Sequence, residues 1–501
     1  MQFCFLIHIF DIIMQKLFYL LSLLIVFASC LSDEEYTTSP NDMLTFSKDS
    51  IRFDTIISGS PTKTYTFSVY NHASKAIRIP QISLKKGSAS PFYVNADGTQ
   101  LTDGVASDFE IASKDSMIVY LMANVPTTDT DAPIAYEDEL EFLTESGNHQ
   151  SVILTASGQD VVTLKDCHIT ENATLNAQRP YRVMDSIVVE KGATLTLAAG
   201  TCFLFHKGAT LRVRGSLRVE GTIEKPVTLR GDRLDDMFVN QPYDRTPGLW
   251  NGVEITSDAH DNYINFADIH SGTYGIRVDS TDASVRTLTI ENSKIHTVSN
   301  HALDVRMANV YVGNSLLANA GSDCLHVCGG DVSLLQCTLA RFYVFTGGYG
   351  HALDFANYES NNRLPLHRLD LTNCIVTGYQ DDELLGKSNA DYEEDEFNYL
   401  FTNCLINTPA PKGPDDHFEN CLWDVEEKGA NKEEVVVREK NFATEFNLKN
   451  LTFSFVLSPN SKAVGTAKAD STYPLDIAGK TRSSTLDMGC YQHQEKETNE
   501  E

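Results

Sequence analysis

Between residues 268 and 339 the chain repeats itself every 22 residues, and that period sharply limits what it can fold into. Asn292-Ser293, Asn314-Ser315 and Gln336-Cys337 each open a short apolar run at this spacing, and Leu303-Asp304-Val305 and Leu325-His326-Val327 keep the same step. Ile276-Arg277-Val278 precedes them by 27 residues and Leu353-Asp354-Phe355 follows by 28. A unit this short, made of strands with Gly and Asn at its corners, cannot bury a face alone. Stacked units can, so the period predicts a solenoid. Helical repeats run longer and carry Leu/Ala helices, which are absent here. The expectation is an all-β right-handed parallel β-helix.

The chain has 501 residues, enough for two or three domains, and 42% apolar content supports a proper core. Its formal charge is -28, from 68 acidic and 40 basic residues. Such a surface repels phosphate backbones and argues against nucleic-acid partners. It also disfavours acidic polysaccharides unless a divalent cation bridges the two.

The first residues read as a targeting segment, excluded from the fold. From Met14 the order is Lys16, an apolar run Leu17 to Phe27, then Ala28-Ser29-Cys30. Asp11 interrupts the apolar stretch that starts at Met1, so Met14 is the favoured start. Phe27-Ala28-Ser29-Cys30 resembles a bacterial lipobox, with Phe27 where Leu is usual, and implies lipidation of Cys30. Ser32-Asp33-Glu34-Glu35 resembles the export signal of Bacteroidetes surface lipoproteins, or is a solvated acidic linker. No later apolar run is long enough to span a bilayer. The expected address is the outer membrane, lipid-anchored and facing outward.

Eleven cysteines are present, an odd number once Cys4 and Cys30 of the leader are set aside, which argues against a complete disulfide framework. Cys337, Cys374, Cys404 and Cys421 each follow Asn or Gln at the start of a strand, the place of an inward stack of small hydrophobes. Cys324 and Cys328 are the one close pair, no CxxC spacing occurs, and no metal is assigned to thiols.

The expected organisation is a leader to residue 29, a tether over 30–44, an immunoglobulin-like sandwich over 45–160, the β-helix over 161–445, and a cap with polar tail over 446–501. Period-2 runs such as Thr64-Tyr65-Thr66-Phe67-Ser68-Val69 and Met117-Ile118-Val119-Tyr120-Leu121 carry the sandwich. Gly192-Ala193-Thr194-Leu195, Gly208-Ala209-Thr210-Leu211 and Gly215-Ser216-Leu217 open early coils. An insertion rich in Asp, Pro and Tyr interrupts them over 231–249. A closing cap is expected because a solenoid must cover its exposed end.

Several segments resemble Bacteroidetes right-handed parallel β-helix lipoproteins. They are Gly231-Asp232-Arg233-Leu234-Asp235-Asp236, Pro242-Tyr243-Asp244-Arg245, Gly248-Leu249-Trp250-Asn251-Gly252, Thr372-Asn373-Cys374-Ile375-Val376 and Phe397-Asn398-Tyr399-Leu400-Phe401-Thr402-Asn403-Cys404. Near the end, Ser458-Pro459-Asn460-Ser461, Asp476-Ile477-Ala478-Gly479-Lys480-Thr481-Arg482 and Asp487-Met488-Gly489-Cys490-Tyr491 resemble the terminal segment of extracellular β-helix proteins, some of which act on polysaccharides. Cys490 and Gln492 depart from that pattern, which usually has Ala and Glu there. The resemblance speaks to architecture, since the fold hosts many roles.

Chemistry is sought on the outward side chains, which alternate with the core-facing ones. The polar residue between two apolar ones is Glu254, Arg277, Asp304, His326 and then Asp354 in successive coils. In register these five make one outward column at about 4.8 Å per coil, with His301, Asp323 and His351 three residues upstream. Asp304, His326 and Asp354 are the catalytic candidates, and Glu254, Arg277, His301, Asp323 and His351 the binding candidates. Two carboxylates flanking a histidine suit acid–base work or hold a cation. Asp304 and Asp354 would stand about 9.6 Å apart, near the limit for an inverting glycosidase. Arg277 is the one strongly basic member, which disfavours a lyase. The alternative is a wet strand face with cross-strand charge pairs and no ligand.

Weaker signals remain. Arg230-Gly231-Asp232 matches an adhesive tripeptide at a strand corner. Asp391, Glu393, Glu394, Asp395 and Glu396 read as a solvated loop lacking calcium-loop spacing. Phe238 and Tyr243 are sugar-stacking or core aromatics. Asp49-Ser50-Ile51, Asp54-Thr55-Ile56, Asp115-Ser116-Met117 and Asp185-Ser186-Ile187 resemble O-glycosylation sites of secreted Bacteroidetes proteins. No nucleotide loop, HExxH or nucleophile elbow occurs. The functional expectation is glycan or surface-component binding without catalysis. A polysaccharide hydrolase or lyase is the second reading and a structural envelope protein the third. No cofactor is required, although Ca²⁺ is compatible with the acidic surface.

Overall fold

The structure, a computed structural model, describes residues 35–238, 240–345, 348–389, 391, 394–424, 441–444 and 446–493. Cys30, its leader and Glu393 lie outside them. The chain divides into two compact units, one of residues to 126 with 134–158, the other of 127–133 with the remainder.

The first unit is a β-sandwich of two five-stranded sheets. Period-2 patterning explains it strand by strand. In Ser116–Ala123 every second residue (Met117, Val119, Leu121, Ala123) is buried and the residues between are exposed. That strand pairs antiparallel with Tyr65–Asn71 on one side and Phe92–Ala96 on the other. Opposite, Ile134–Leu143 pairs with His149–Gln159, and Phe142 and Leu154 fill the space between the sheets. Burying each such side chain stabilises the unit by about 1.5–3 kcal/mol.

The second unit is a parallel β-helix. Its strands form an 11-stranded and a 17-stranded sheet. Each coil contributes one strand to each of three flanks. The first flank runs from Val162–Leu164 to Leu422–Trp423, the second from Cys167–Ile169 to Leu384–Lys387, and the third from Ala173–Leu175 to Phe418–Glu419. The second and third flanks join as one sheet because Leu303–Gly313 and Leu325–Leu335 run unbroken around the corner between them. Gly329 and Gly330 make that bend with positive φ, and a Cβ at Gly330 would stand 2.5 Å from the Ala308 carbonyl oxygen.

The 22-residue period is a corner requirement. Asn292, Asn314, Gln336, Asn373, Asn403 and Asn420 all take the left-handed conformation, which Asn tolerates better than most residues. Asn314 Nδ2 donates to Asn292 Oδ1 at 2.8 Å, and Asn292 Nδ2 to Asn265 Oδ1 at 2.8 Å, so the corners are laced coil to coil. The next residue turns inward: Ser293, Ser315, Cys337, Cys374 and Cys404 are all buried. All nine described cysteines are free, as an inward stack of small side chains requires.

The C-terminal residues pack along a flank of the solenoid. Leu316, Ala318, Ala340, Ile375 and Leu405 point outward from the first flank, yet all are buried, under Phe442, Phe446, Phe455, Leu457, Ile477, Met488 and Tyr491. Asn373 fixes the segment by donating to the Lys468 carbonyl and accepting from its N–H. The physical reason is the apolar wet side of this flank, which needs a cover along its length.

Candidate functional site

Strand alternation sets out the second flank. Leu303 and Val305 face the core, leaving Asp304 outward, and parallel pairing carries the pattern from coil to coil. Glu254 pairs with Arg277, Arg277 with Asp304, Asp304 with His326, and His326 with Asp354. The five candidates therefore form one column, and the longer step before Leu353 does not break it. The additional residues are taken up between Arg341 and Leu353.

Exposure separates the two ends of this column. The Arg277 side chain is 42% exposed, whereas Asp304 is 13% and Asp354 11% exposed. At the open end Arg212 Nε donates to Glu254 at 2.8 Å, and Arg277 lies 4.0 Å from Asp304. These are ordinary cross-strand charge pairs. At the sunken end His326 Nδ1 lies 2.8 Å from Asp304 Oδ1, and its Nε2 lies 3.5 Å from Cys328 Sγ. Burial works against charge on His326, but hydrogen bonding to Asp304 and to the Cys328 sulfur pushes its pKa up to about 10. Burial likewise opposes ionisation of Asp304, yet His326 holds that carboxyl below its ordinary range. Lys387 Nζ donates to Asp354 Oδ2 at 2.7 Å.

The upstream residues join this end. The His301 ring stacks on His326 with centroids 4.6 Å apart, and its Nδ1 lies 3.1 Å from Asp323 Oδ2. The His351 backbone N–H donates to Asp323 Oδ1 at 2.7 Å. Burial opposes the Asp323 charge, while His301 and that N–H keep its pKa lowered. Seven residues thus converge: His301, Asp304, Asp323, His326, His351, Asp354 and Lys387. Glu254 and Arg277 belong to the same column but stand outside this convergence. Tyr349, 88% exposed, lies two residues before His351, and Tyr274 packs near His301 with centroids 6.1 Å apart.

Lys387 escaped the sequence reading, and Cys328 entered it only as one of a close cysteine pair. Lys387 sits at the end of Leu384–Lys387, opposite Ala356 rather than opposite Asp354 itself, so the residue-between-apolars rule passes over it. Cys328 follows His326 by two, and strand alternation alone would have placed it on the same side.

A second cluster was also missed. On the first flank Asp268 Oδ1 accepts from His270 Nδ1 at 2.8 Å and from His296 Nε2 at 3.1 Å. His270 Nε2 lies 2.7 Å from Asp244 of the insertion, which Arg230 also reaches at 2.8 Å. Burial opposes charge on His270, but Asp268 and Asp244 push its pKa up to about 9. Burial also opposes ionisation of Asp268, yet the two imidazoles hold it well below the usual carboxylate range. Strands Ala267–His270 and Lys294–Val298 carry this pattern, so register would have revealed it.

The weaker signals resolve individually. Asp232 of the Arg-Gly-Asp tripeptide is 9% exposed and clamped by Arg182 at 2.9 Å and His206 at 2.9 Å, a structural corner. Asp395 departs from the solvated-loop expectation, since Arg363 pairs with it and its side chain is 7% exposed. Phe238 is exposed, while Tyr243 stacks under Arg233 at 4.1 Å.

No family model and no curated protein matches this chain. Among solved structures, the catalytic unit of a thermostable GH87 α-1,3-glucanase from Streptomyces thermodiastaticus is 11% identical, with a TM-score of 0.31, over 69% of this chain and 74% of that one. The catalytic domain of a GH87 α-1,3-glucanase in complex with nigerose is 9% identical, with a TM-score of 0.28, over 71% and 88%. A human ASH/PapD-like domain is 13% identical, with a TM-score of 0.18, over 26% of this chain and 96% of that one. Likenesses this remote do not bear on activity.

Proposed function

We propose that the second flank of the β-helix binds a hydroxyl-rich ligand, a glycan, without turning it over. One observation carries this reading: Asp304 and Asp354, the two carboxylates that would do the acid–base work, are each bound to a basic side chain. Asp304 is the partner of a protonated His326, and Asp354 is held by Lys387. A glycosidase of the two-carboxylate kind needs one carboxyl kept protonated by its surroundings, and Asp304 is pushed the other way. Anchored carboxyl groups and imidazoles accept and donate hydrogen bonds to sugar hydroxyls, and exposed Tyr349 offers a face for stacking.

The chain would present this flank from the outer membrane surface, tethered by lipid on Cys30. Among the described residues no helix is long and apolar enough to cross a membrane. Immobilised polysaccharides of varied composition, probed with the full-length protein, should retain it. His326→Ala and Tyr349→Ala should each weaken retention about tenfold or more. Release of reducing ends or unsaturated products would instead make it a hydrolase or lyase acting through Asp304, His326 and Asp354. Neither retention nor turnover would leave a structural envelope protein.

A further inference from the structure

Two atoms at the deep end of the convergence have no partner. His351 Nδ1 and Asp354 Oδ1 are both buried and make no hydrogen bond. Desolvated polar atoms without a partner are rare in a folded interior, and each calls for something to face it. Asp323, His351 and Asp354 each bring one potential ligand atom, and these atoms lie within 4.8 Å of one another. Asp323 and Asp354 are only 5% and 8% exposed. Two carboxylates and an imidazole thus converge, with one carboxylate oxygen and one ring nitrogen left without a hydrogen bond.

We propose that Asp323, His351 and Asp354 bind one divalent transition ion of the zinc or manganese kind. His351 Nδ1 and Asp323 Oδ1 are 3.9 Å apart, against about 3.4 Å between two ligands of a tetrahedral ion bound at about 2.1 Å. The three donor atoms, within 4.8 Å of one another, draw together by up to about 1.4 Å to reach the same ion. Both carboxylates are already oriented through other contacts. Asp354 gives Oδ2 to Lys387 and keeps Oδ1 free, while Asp323 is steadied by His301 at Oδ2 and by the His351 N–H at Oδ1. Such outer partners fix ligand geometry in metal centres. The chain also passes tightly here, since a Cβ at Gly350 would stand 2.7 Å from Asp323 Oδ1.

The donor set selects the ion. Calcium takes six to eight oxygens, whereas one imidazole with two carboxylates suits zinc or manganese and leaves a coordination position open. The Asp268, His270 and His296 cluster makes the contrast. There His270 bonds through both nitrogens and Asp268 Oδ1 accepts from both imidazoles, so these atoms already have partners.

The test titrates metal-stripped full-length protein with Co²⁺ and Zn²⁺. The expected result is one bound equivalent, with a weak visible cobalt band and no intense thiolate band. His351→Ala and Asp354→Asn should each weaken binding at least tenfold, and His296→Ala should leave it unchanged. If a variant loses its β-sheet circular dichroism, the unaltered protein decides the matter: Zn²⁺ should slow amide exchange across residues 348–354. Absence of saturable binding, binding indifferent to His351→Ala, or an intense thiolate-to-cobalt band from Cys328 would overturn the proposal. The ion does not depend on the glycan reading. Lost metal binding with polysaccharide retention intact refutes the site alone, and the reverse refutes the ligand class alone.

Discussion

The first and second flanks of the β-helix come from the same coils, yet one is covered and the other is open. In Leu316–Ala320 every residue is buried, because the outward Leu316 and Ala318 lie under the C-terminal segment. In the adjoining strands of the second flank, outward Asp304 and His326 are polar and partly exposed. Both flanks obey one backbone plan, so the choice of outward residue alone decides which recruits a cover and which meets solvent. A strand buried on both sides reads as a continuous apolar run, and one buried on a single side as an alternation.

The difference can be broken most forcibly at Phe342. It is fully buried and packs on Phe442, Phe446 and Phe455 with centroids 4.9 to 6.2 Å away. Phe342→Ala should cost about 3–5 kcal/mol in urea denaturation and expose the C-terminal segment to protease. An unchanged midpoint would mean that the cover does not depend on this contact.

The next largest effect is a pH response of the covered flank. The folded pKa of His270, about 9, lies above the ordinary 6.5, so its contribution is complete below about pH 6.5 and lost as pH rises through 9. The lost contribution is on the order of 3 kcal/mol. Amide exchange over residues 241–246, which carry Asp244, should quicken between pH 6.5 and 9, and His270→Gln should flatten that profile.

Corner lacing comes third. Asn314 is left-handed, donates to Asn292 and accepts from Arg482 at 2.7 Å, so Asn314→Ala should cost about 1–3 kcal/mol. Asn314→Gly should recover part of that loss, since Gly restores the conformation without the hydrogen bonds. The smallest effect belongs to the open flank. Arg212→Ala removes an exposed pair with Glu254 and should change stability by at most about 1 kcal/mol, diminishing further in high salt. A larger change would show that the open flank is held together by its charges.

Much of this was legible before the structure. The 22-residue step between Asn292 and Asn314 is the spacing of two left-handed corners, and it fixed both coil length and the Asp304 to Asp354 column. Local spacing carries that information because adjacent coils pair in register. The destination of Phe442, Phe446 and Phe455 was not legible, because their partners reach back as far as Leu316 and no period links them. The apolar runs at Leu316-Leu317-Ala318 and Leu339-Ala340 did hold the sign that something covers this flank. Lys387 was hidden for a different reason: it reaches Asp354 diagonally across the ladder.

The inward cysteine stack has a consequence for how opening of the solenoid would be seen. Cys337, Cys374 and Cys404 sit one per coil, and burial pushes all three thiols above their ordinary pKa. A thiol both sealed and protonated does not react until its own coil parts. Three consecutive coils therefore each carry a native timer, and the order in which an alkylating reagent marks them would record the direction in which the stack unzips.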